Sequence, residues 1–183
     1  MAKAGAPGGE ASSRIGIWQT HKFKMNKALV ADTRHAKPRH GAVAIIVEEG
    51  RFLVIRRSQF VRAPNLLCFA GGTIEAGESP AQTIVRELRE ELTLESQARQ
   101  HVWQSRTAWG TLLEWVLVER EVASQPVANP QEVAEWMWLE PTELLEHPDL
   151  LPSVPAFFRA WAKGELLLPS RAGLAQPSWC QLK

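Results

Sequence analysis

A glycine-rich turn runs directly into a strongly marked helix in residues 71–95, GGTIEAGESPAQTIVRELREELTLE. Ser79 is a good N-cap, Pro80 suits the first helical position, and Gln82 completes a Ser-x-x-Gln capping box. Because these three signals agree, the sequence predicts a helix that begins at Pro80, immediately after the turn.

The predicted helix carries three glutamates, Glu87, Glu90 and Glu91, within roughly a quarter-turn at about 100° per residue. The apolar positions expected to face the core, on the far side, are Ala81, Val85, Leu88 and Leu92. Like charges at this spacing cost roughly a few tenths of a kcal/mol per pair on an exposed helix. Either the face is simply solvated, with Arg86 and Arg89 as ion-pair partners, or it binds a cation.

A divalent cation would remove the repulsion among these glutamates. Carboxylate oxygens are the hard ligands that Mg²⁺ prefers, and substrate phosphates commonly fill its other positions. Such a metal can polarise a phosphoryl group and help to generate hydroxide. Most glutamate-rich helices are only solvated surfaces. The spacing of glycine, glutamate and arginine over the whole segment therefore has to decide between the two interpretations.

That wider spacing, over residues 72–94, resembles the Nudix box, G-x5-E-x7-R-E-U-x-E-E-x-G-U, where U is a bulky aliphatic residue. The matching positions are Gly72, Glu78, Arg86, Glu87, Leu88, Glu90, Glu91 and Leu94. Thr93 stands where the family has glycine, and Ala70 stands where many members have proline. Both departures concern the backbone at the ends of the loop and helix rather than the carboxylates.

The resemblance implies an α/β fold, a Nudix-type α/β/α sandwich with a mixed β-sheet, and hydrolysis of a nucleoside diphosphate linked to another group. It implies Mg²⁺ as the cofactor, with Mn²⁺ as the alternative. The metal ligands that it implies are Glu87, Glu90, Glu91 and the carbonyl of Gly72. Glu90 is also a candidate catalytic base, and Arg86, with Glu78 in support, would orient a glutamate through a charge-assisted hydrogen bond.

A second acidic site is expected downstream, in NPQEVAEWMWLEPTEL, because family members often place a metal-binding or base glutamate there. Glu135 matches this position slightly better and is the predicted catalytic residue, and Glu132 is the alternative. Either side chain, taken singly, is almost as well explained as a solvated loop charge.

The substrate is approached by elimination within the family. The chain has no tyrosine of the kind that diadenosine polyphosphate hydrolases often carry, and it has Gly110 where ADP-ribose hydrolases often have proline. The NADH-type motif SQPWPFPxS is missing, and Arg57, Ser58 and Arg62 only partly match a coenzyme A signature. A nucleoside triphosphate, with oxidised ones included, is therefore the first choice, and ADP-ribose, coenzyme A or another nucleotide derivative is the alternative.

Candidate substrate-binding residues are Arg57, Arg62 and Trp138. The arginines suit phosphates, and an aromatic face can stack on a base, although most tryptophans on strands of this kind are core residues. Trp136 and Trp138 should share one face of an extended EWMWL segment, with Met137 on the other.

Two hypotheses of other classes stay open. One is a non-catalytic nucleotide-sensing module on the same fold, which tends to lose box glutamates that this chain keeps. The other is an isoprenoid-diphosphate isomerase-like enzyme, for which Cys68, just before the box, would be the candidate catalytic cysteine.

Composition adds limits on partners and location. The formal net charge of +1 gives no global field for nucleic acid or an anionic membrane, and no window approaches the roughly 18 apolar residues of a membrane span. Cys68 and Cys180 show no disulfide-framework or zinc-site spacing, so the sequence predicts a cytoplasmic protein with a small-molecule nucleotide as its partner. A homodimer is compatible with the sequence but is not required by it.

The predicted organisation has one domain between less structured ends. Its parts are a disordered tail at 1–13, an N-terminal extension at 14–37, a Nudix hydrolase domain at 38–168 and a C-terminal tail at 169–183. Inside the domain, GAVAIIVEEGRFLVIRR should form a hairpin around Glu49-Gly50, and VPAFFRAWAKG should form a helix from near Pro155 to Gly164.

Overall fold

A computed structural model of the protein describes residues 39–168, in which two β-sheets and three α-helices form. The strands are β1 His40–Ile45, β2 Val47–Glu48, β3 Arg51–Arg57, β4 Leu67–Cys68, β5 Gly71–Thr73, β6 Ser96–Arg106, β7 Leu112–Arg120 and β8 Val133–Leu139. The helices are α1 Pro80–Leu92, α2 Pro141–Glu146 and α3 Ser153–Ala162. The predictions for the tails and the N-terminal extension, and for Cys180, lie outside the described residues.

Both sheets have four strands. The one with more residues in its strands, called the larger sheet here, has the strand order β5-β1-β7-β6. Strand β1 pairs with β7 in parallel and with β5 antiparallel, and β6 pairs with β7 antiparallel. A parallel pair needs a long crossover connection, and α1 lies within the chain that joins β1 to β7. The prediction of a mixed sheet is confirmed.

The smaller sheet is built around β3, which pairs with β2 and β4 on one side and with β8 on the other. The predicted turn at Glu49-Gly50 is confirmed: both residues have positive φ, 49° and 79°, as in the type I′ turns that suit two-residue hairpins. The predicted hairpin is shorter than expected, because β1 belongs to the larger sheet and only Val47–Glu48 pairs back onto β3.

The larger sheet is covered on both faces. Trp115 of β7 is fully buried and stacks on Phe157 of α3, with ring centroids 5.0 Å apart. Side chains alternate along a strand, so the neighbouring Glu114 points to the opposite face. On that face a β-carbon built on Gly72 of β5, the partner strand of β1, would meet Glu87 of α1. The sheet therefore lies between α1 and α3, and the predicted α/β/α sandwich is confirmed.

An aromatic cluster joins α3 to both sheets. Phe52 of β3 makes edge contacts with Phe157, Phe158 and Trp161 at centroid distances of 6.1, 5.3 and 6.1 Å. Burying each such side chain contributes roughly 1.5–3 kcal/mol. The helix begins at Ser153, slightly before the predicted start, and Gly164 follows its end as expected. Within residues 39–168, no helix has the length and apolar character needed to cross a membrane.

Candidate active site

Helix α1 begins where the sequence predicts. The Ser79 hydroxyl accepts a hydrogen bond from the Gln82 backbone N–H at 3.3 Å, and the Gln82 side-chain oxygen accepts one from the Ser79 N–H at 2.9 Å. This capping box satisfies N–H groups that have no partner inside the helix.

The buried face of α1 is rotated from the predicted one. Its buried residues are Thr83, Ile84, Glu87, Leu88, Glu91 and Leu92. Ala81 is exposed and Val85 is only partly buried, because the larger Ile84 takes the core position beside Leu88. The prediction that all three glutamates lie opposite the apolar stripe is therefore wrong for Glu87 and Glu91, which border the core.

The glycine turn lets the backbone of β5 approach these two glutamates closely. A β-carbon at Gly72 would clash with Glu87 Oε1, so a larger residue would displace that carboxylate. The Gly71 N–H donates a hydrogen bond to Glu91 Oε2 at 3.1 Å. The missing side chain at Gly72 thus leaves room for the Glu87 carboxylate beside the turn, and the Gly71 N–H holds Glu91 there.

The two departures from the family pattern have a clear structural form. Thr93 ends α1 in the left-handed conformation, with φ 49° and ψ 31°, which a β-branched residue adopts only rarely. Ala70 is buried, and its carbonyl accepts a hydrogen bond from the Ala44 N–H at 2.9 Å.

Three carboxylates converge beside the glycine turn: Glu87, Glu91 and Glu132 each offer an oxygen, and these oxygens lie within 4.8 Å of one another. Glu91 is only 4% exposed, and burial raises the pKa of its carboxyl to about 8, with the Gly71 N–H opposing the shift and Glu87 adding to it. Burial also raises the pKa of Glu87, against the effect of Arg86. The cluster thus holds acids that resist ionisation together.

Arg86 organises the exposed edge of this cluster. Its guanidinium donates to Glu78 Oε1 at 2.8 Å, to Glu87 Oε1 at 2.9 Å and to Glu90 Oε2 at 2.9 Å. The hydrogen bonds from Arg86, with a further one from Thr83, lower the pKa of Glu78 to about 2. Glu90 is therefore held by Arg86 at the rim, outside the group of three converging carboxylates.

Of the two downstream glutamates, Glu132 belongs to this cluster, whereas Glu135 does not. Glu135 is on β8, and its carboxylate pairs with Arg56 Nε of β3. A bulge separates the two glutamates: Val133 is opposite Arg57, but Glu135 is opposite Arg56, so Ala134 is an extra residue. Sequence alone could not place this bulge, and the choice between the glutamates depended on it.

The candidate substrate residues occupy different places. Arg57 Nε donates to the Arg62 carbonyl at 2.8 Å, and its positive charge acts to lower the pKa values of Glu91 and Cys68. Arg62 itself is exposed in the loop after β3. Trp138 lies near the end of β8 away from Glu132, opposite Leu53, so Arg57 alone among the three closely neighbours the cluster.

Register confirms the expected division of faces on β8. Trp136 and Trp138 oppose Ile55 and Leu53, while Met137 opposes the intervening Val54. Cross-strand partners point to the same side of a sheet, so the two tryptophans share one face and Met137 takes the other.

Comparisons with known proteins agree with this arrangement. CTP pyrophosphohydrolase of Escherichia coli K12 is 31% identical over 116 residues, which cover 61% of this chain and 83% of that protein. NAD-capped RNA hydrolase NudC of Pseudomonas aeruginosa LESB58 is 27% identical over 184 aligned positions, which cover 91% of this chain but only 63% of NudC.

A solved structure shares the fold. The crystal structure of the MutT protein from Methanosarcina mazei Go1 has a TM-score of 0.59 at 20% identity, covering 72% of this chain and 98% of that one. The NUDIX domain model matches residues 37–162, which is more than half of the chain and includes α1, the glycine turn and Glu132. The chain belongs to the Nudix family.

Proposed function

We propose that this Nudix hydrolase is a Mg²⁺-dependent pyrophosphohydrolase that cleaves nucleoside triphosphates. Membership of the family makes it an enzyme that acts on pyrophosphate bonds of nucleotide derivatives. The observation that carries the finer proposal is the convergence of Glu87, Glu91 and Glu132 from two separate segments. Two of these carboxylates are buried, and burying like charges together is costly unless a cation compensates them.

The donor set fits a hard divalent cation. Carboxylate oxygens suit Mg²⁺ and Mn²⁺, and the absence of a side chain at Gly72 lets the Glu87 carboxylate lie against the turn. Glu87, Glu91 and Glu132 would hold the ion, with the Gly72 carbonyl and Glu90 as further proposed ligands. When bound, such an ion polarises the phosphoryl oxygens and lowers the pKa of water.

The side chains of the protein then divide the remaining work. Water attacks a phosphorus of the diphosphate bridge, a new P–O bond forms, and the bridging P–O bond breaks to release a nucleotide and a phosphorylated product. Glu90 is the proposed base that takes the proton of that water, and Arg86 holds Glu90 and Glu87 in place through hydrogen bonds of 2.9 Å. We assign the downstream role to Glu132 rather than to Glu135, which is committed to Arg56.

The triphosphate substrate is supported by one relative in particular. The E. coli protein at 31% identity is a CTP pyrophosphohydrolase, so a nucleoside triphosphate stays the first choice. The likeness to an NAD-capped RNA hydrolase favours a dinucleotide-type substrate as the second candidate. Arg57 is the proposed phosphate contact, because its positive charge is close enough to Glu91 to oppose the rise that burial causes in the pKa of that carboxyl and so lies beside the carboxylate cluster. Roles for Arg62 and Trp138, a cytoplasmic location and a homodimer stay predictions from the sequence.

The alternatives of other classes gain less support. A non-catalytic module has no need of a buried, glycine-lined carboxylate cluster. An isomerase would need a reactive cysteine, yet Cys68 is buried, and burial raises the pKa of its thiol to about 12. Such a thiol is a poor source of thiolate at neutral pH.

A substrate panel tests the proposal. Nucleoside triphosphates, including oxidised ones, ADP-ribose, dinucleotides and coenzyme A are each incubated with the full chain and Mg²⁺, and phosphate and pyrophosphate release are measured. We expect pyrophosphate and a nucleoside monophosphate from at least one triphosphate, and no release after chelation of the metal. Tight nucleotide binding without turnover, with either Mg²⁺ or Mn²⁺, would favour the sensing module instead.

A further inference from the structure

Ser58 is a buried residue that joins the end of β3 to the loop that carries Glu132. It is only 2% exposed. Its backbone N–H donates to the Glu132 carbonyl at 2.8 Å, and its hydroxyl donates to the Gln131 carbonyl at 2.7 Å. The hydroxyl oxygen also accepts a hydrogen bond from the Phe60 N–H at 3.2 Å. One residue therefore binds two successive carbonyls of the loop.

The opposite side of the same loop is held by Asn129. The Asn129 carbonyl accepts hydrogen bonds from the N–H groups of Glu132 at 3.0 Å and of Val133 at 2.8 Å. The Asn129 N–H in turn donates to the Glu91 carbonyl at 2.8 Å. The loop is thus tied to the helix that carries Glu87 and Glu91, and Ser58 ties it to β3.

These bonds fix both peptide planes that flank Glu132. The plane before it contains the Gln131 carbonyl, held by the Ser58 hydroxyl, and the Glu132 N–H, held by Asn129. The plane after it contains the Glu132 carbonyl, held by the Ser58 N–H, and the Val133 N–H, held by Asn129. Since φ and ψ are the only soft backbone angles of a residue, the direction in which the Glu132 side chain leaves the loop is set.

We propose that Ser58 is a positioning residue for metal binding, which orients Glu132 toward Glu87 and Glu91 through its hydrogen bond to the Gln131 carbonyl. The inference rests on the proposed function, because it requires Glu132 to be a metal ligand. Strand pairing next to Glu132 is limited to Val133 opposite Arg57, because the bulge at Ala134 shifts the β3–β8 register there; the hydroxyl bond to the Gln131 carbonyl adds a restraint on the other side of Glu132. Groups that orient metal ligands commonly affect metal affinity by about 10–100-fold.

The test measures Mn²⁺ affinity of the full chain by electron paramagnetic resonance, without nucleotide. Ser58→Ala removes the hydroxyl and keeps the backbone bond to Glu132, so we expect affinity to fall about tenfold. Ser105→Ala is the matched control, because it removes a hydroxyl that accepts a hydrogen bond from Trp115 Nε1 at 2.9 Å, away from the loop. The control should leave Mn²⁺ affinity unchanged.

The same substitution in a Glu132→Gln background separates positioning from general loosening. If Ser58 acts through Glu132, then Ser58→Ala should have no further effect on Mn²⁺ affinity once the carboxylate is gone. An equal loss in both backgrounds, or an equal loss from Ser105→Ala, would overturn the inference. If Glu132→Gln weakens binding but Ser58→Ala does not, the inference fails while the proposed function stands. If Glu132→Gln has no effect, the ligand assignment fails, and the inference with it.

A second variant covers the case in which Ser58→Ala folds poorly. Ser58→Cys keeps a weak donor in nearly the same volume, so its loss of affinity should be smaller than tenfold. In the metal-free protein, amide hydrogen exchange at Glu132 and Val133 should rise in both variants and stay unchanged in Ser105→Ala. Unchanged exchange at these two amides would also overturn the inference.

Discussion

Glu114 and Glu91 are both buried glutamates on the larger sheet or its covering helix, 7% and 4% exposed, yet their surroundings are opposite. The Glu114 carboxylate forms hydrogen bonds with His40 Nε2 at 2.9 Å, His101 Nε2 at 2.7 Å and Gln104 Nε2 at 2.8 Å. Glu91 accepts a hydrogen bond from the Gly71 N–H and faces other carboxylates. One buried acid is fully supplied with donors, and the other is not.

Their ionisation follows from this difference. Burial acts to raise the pKa of Glu114, but the hydrogen bonds from His40, Gln104 and His101 outweigh it and leave that pKa lowered. Burial raises the pKa of Glu91 to about 8, because the single Gly71 donor does not compensate. The Glu114 carboxylate is therefore compensated within the fold, whereas the Glu91 carboxylate fits the proposed role of binding an external cation.

The largest expected effect is on catalysis. Glu91→Gln should lower kcat/KM by about a thousandfold, because loss of a metal ligand removes several kcal/mol of transition-state stabilisation. Glu95→Gln is the matched control: Glu95 is exposed and pairs with Arg89, and its loss should leave turnover unchanged. Steady-state kinetics on the best substrate of the panel checks both variants, and full activity in Glu91→Gln would refute the metal site.

The same substitution should have the opposite effect on stability without metal. The unfolded chain ionises Glu91 near 4.5, but the folded chain holds the proton to about 8, so between these values the folded state binds more protons. The free energy of unfolding of the metal-free protein should therefore fall as pH rises from about 4.5 to 8, with a slope of roughly 1 kcal/mol per pH unit.

Urea unfolding at several pH values, in the presence of a chelator, checks this slope. Glu91→Gln should flatten it and should be more stable than the wild type at pH 8. Adding Mg²⁺ should stabilise the wild type more than the variant, because binding to the folded state alone raises stability. A wild-type stability that rises steadily over this pH range would contradict the assignment.

Glu114→Gln should destabilise the protein by about 1–3 kcal/mol without weakening Mn²⁺ binding, because it replaces a buried, charged hydrogen-bond acceptor with an uncharged and poorer one. The pH dependence has the opposite sign to that of Glu91. The pKa of Glu114 is lowered in the folded state, so its contribution is present above the unfolded value and is lost as pH falls below it. Thermal unfolding between pH 3 and 6, with Glu119→Gln as an exposed control, tests this pH dependence. If Glu114→Gln weakened Mn²⁺ binding, Glu114 would belong to the metal site and the contrast with Glu91 would fail.

The sequence predicts the local parts of the site well. The capping box that starts α1 follows from Ser79, Pro80 and Gln82, and the family resemblance brings Gly72, Glu87 and Glu91 together as candidate metal-site residues. Helical spacing alone does not predict the rotation of α1, because it does not decide whether Ala81 or Ile84 faces the core. Thr93 could be flagged only as a departure, since its left-handed conformation is visible in the backbone alone.

The long-range parts could not be predicted in the same way. His40 and Glu114 are 74 residues apart in sequence and meet only because β1 and β7 pair in parallel. A charged residue inside the apolar run of β7 was the available signal for this cluster. The choice of Glu132 likewise depends on a bulge in β8 and on contacts with Ser58, neither of which leaves a periodic pattern in the sequence.

The smallest expected effect is on Mn²⁺ affinity, in a comparison of the two downstream glutamates. Glu132 and Glu135 are three positions apart in sequence but have different partners. Glu132→Gln should weaken Mn²⁺ binding about tenfold, or roughly 1.4 kcal/mol, because it removes one of the converging carboxylates. Glu135→Gln should change the Mn²⁺ affinity less than about twofold. Glu135 is half-exposed and pairs with Arg56 rather than with the three converging carboxylates, and exposed ion pairs of this kind contribute little energy. Isothermal titration of the nucleotide-free protein measures both affinities. The reverse order would return the metal-binding role to Glu135, and it would mean that the loop held by Ser58 rearranges when the cation binds.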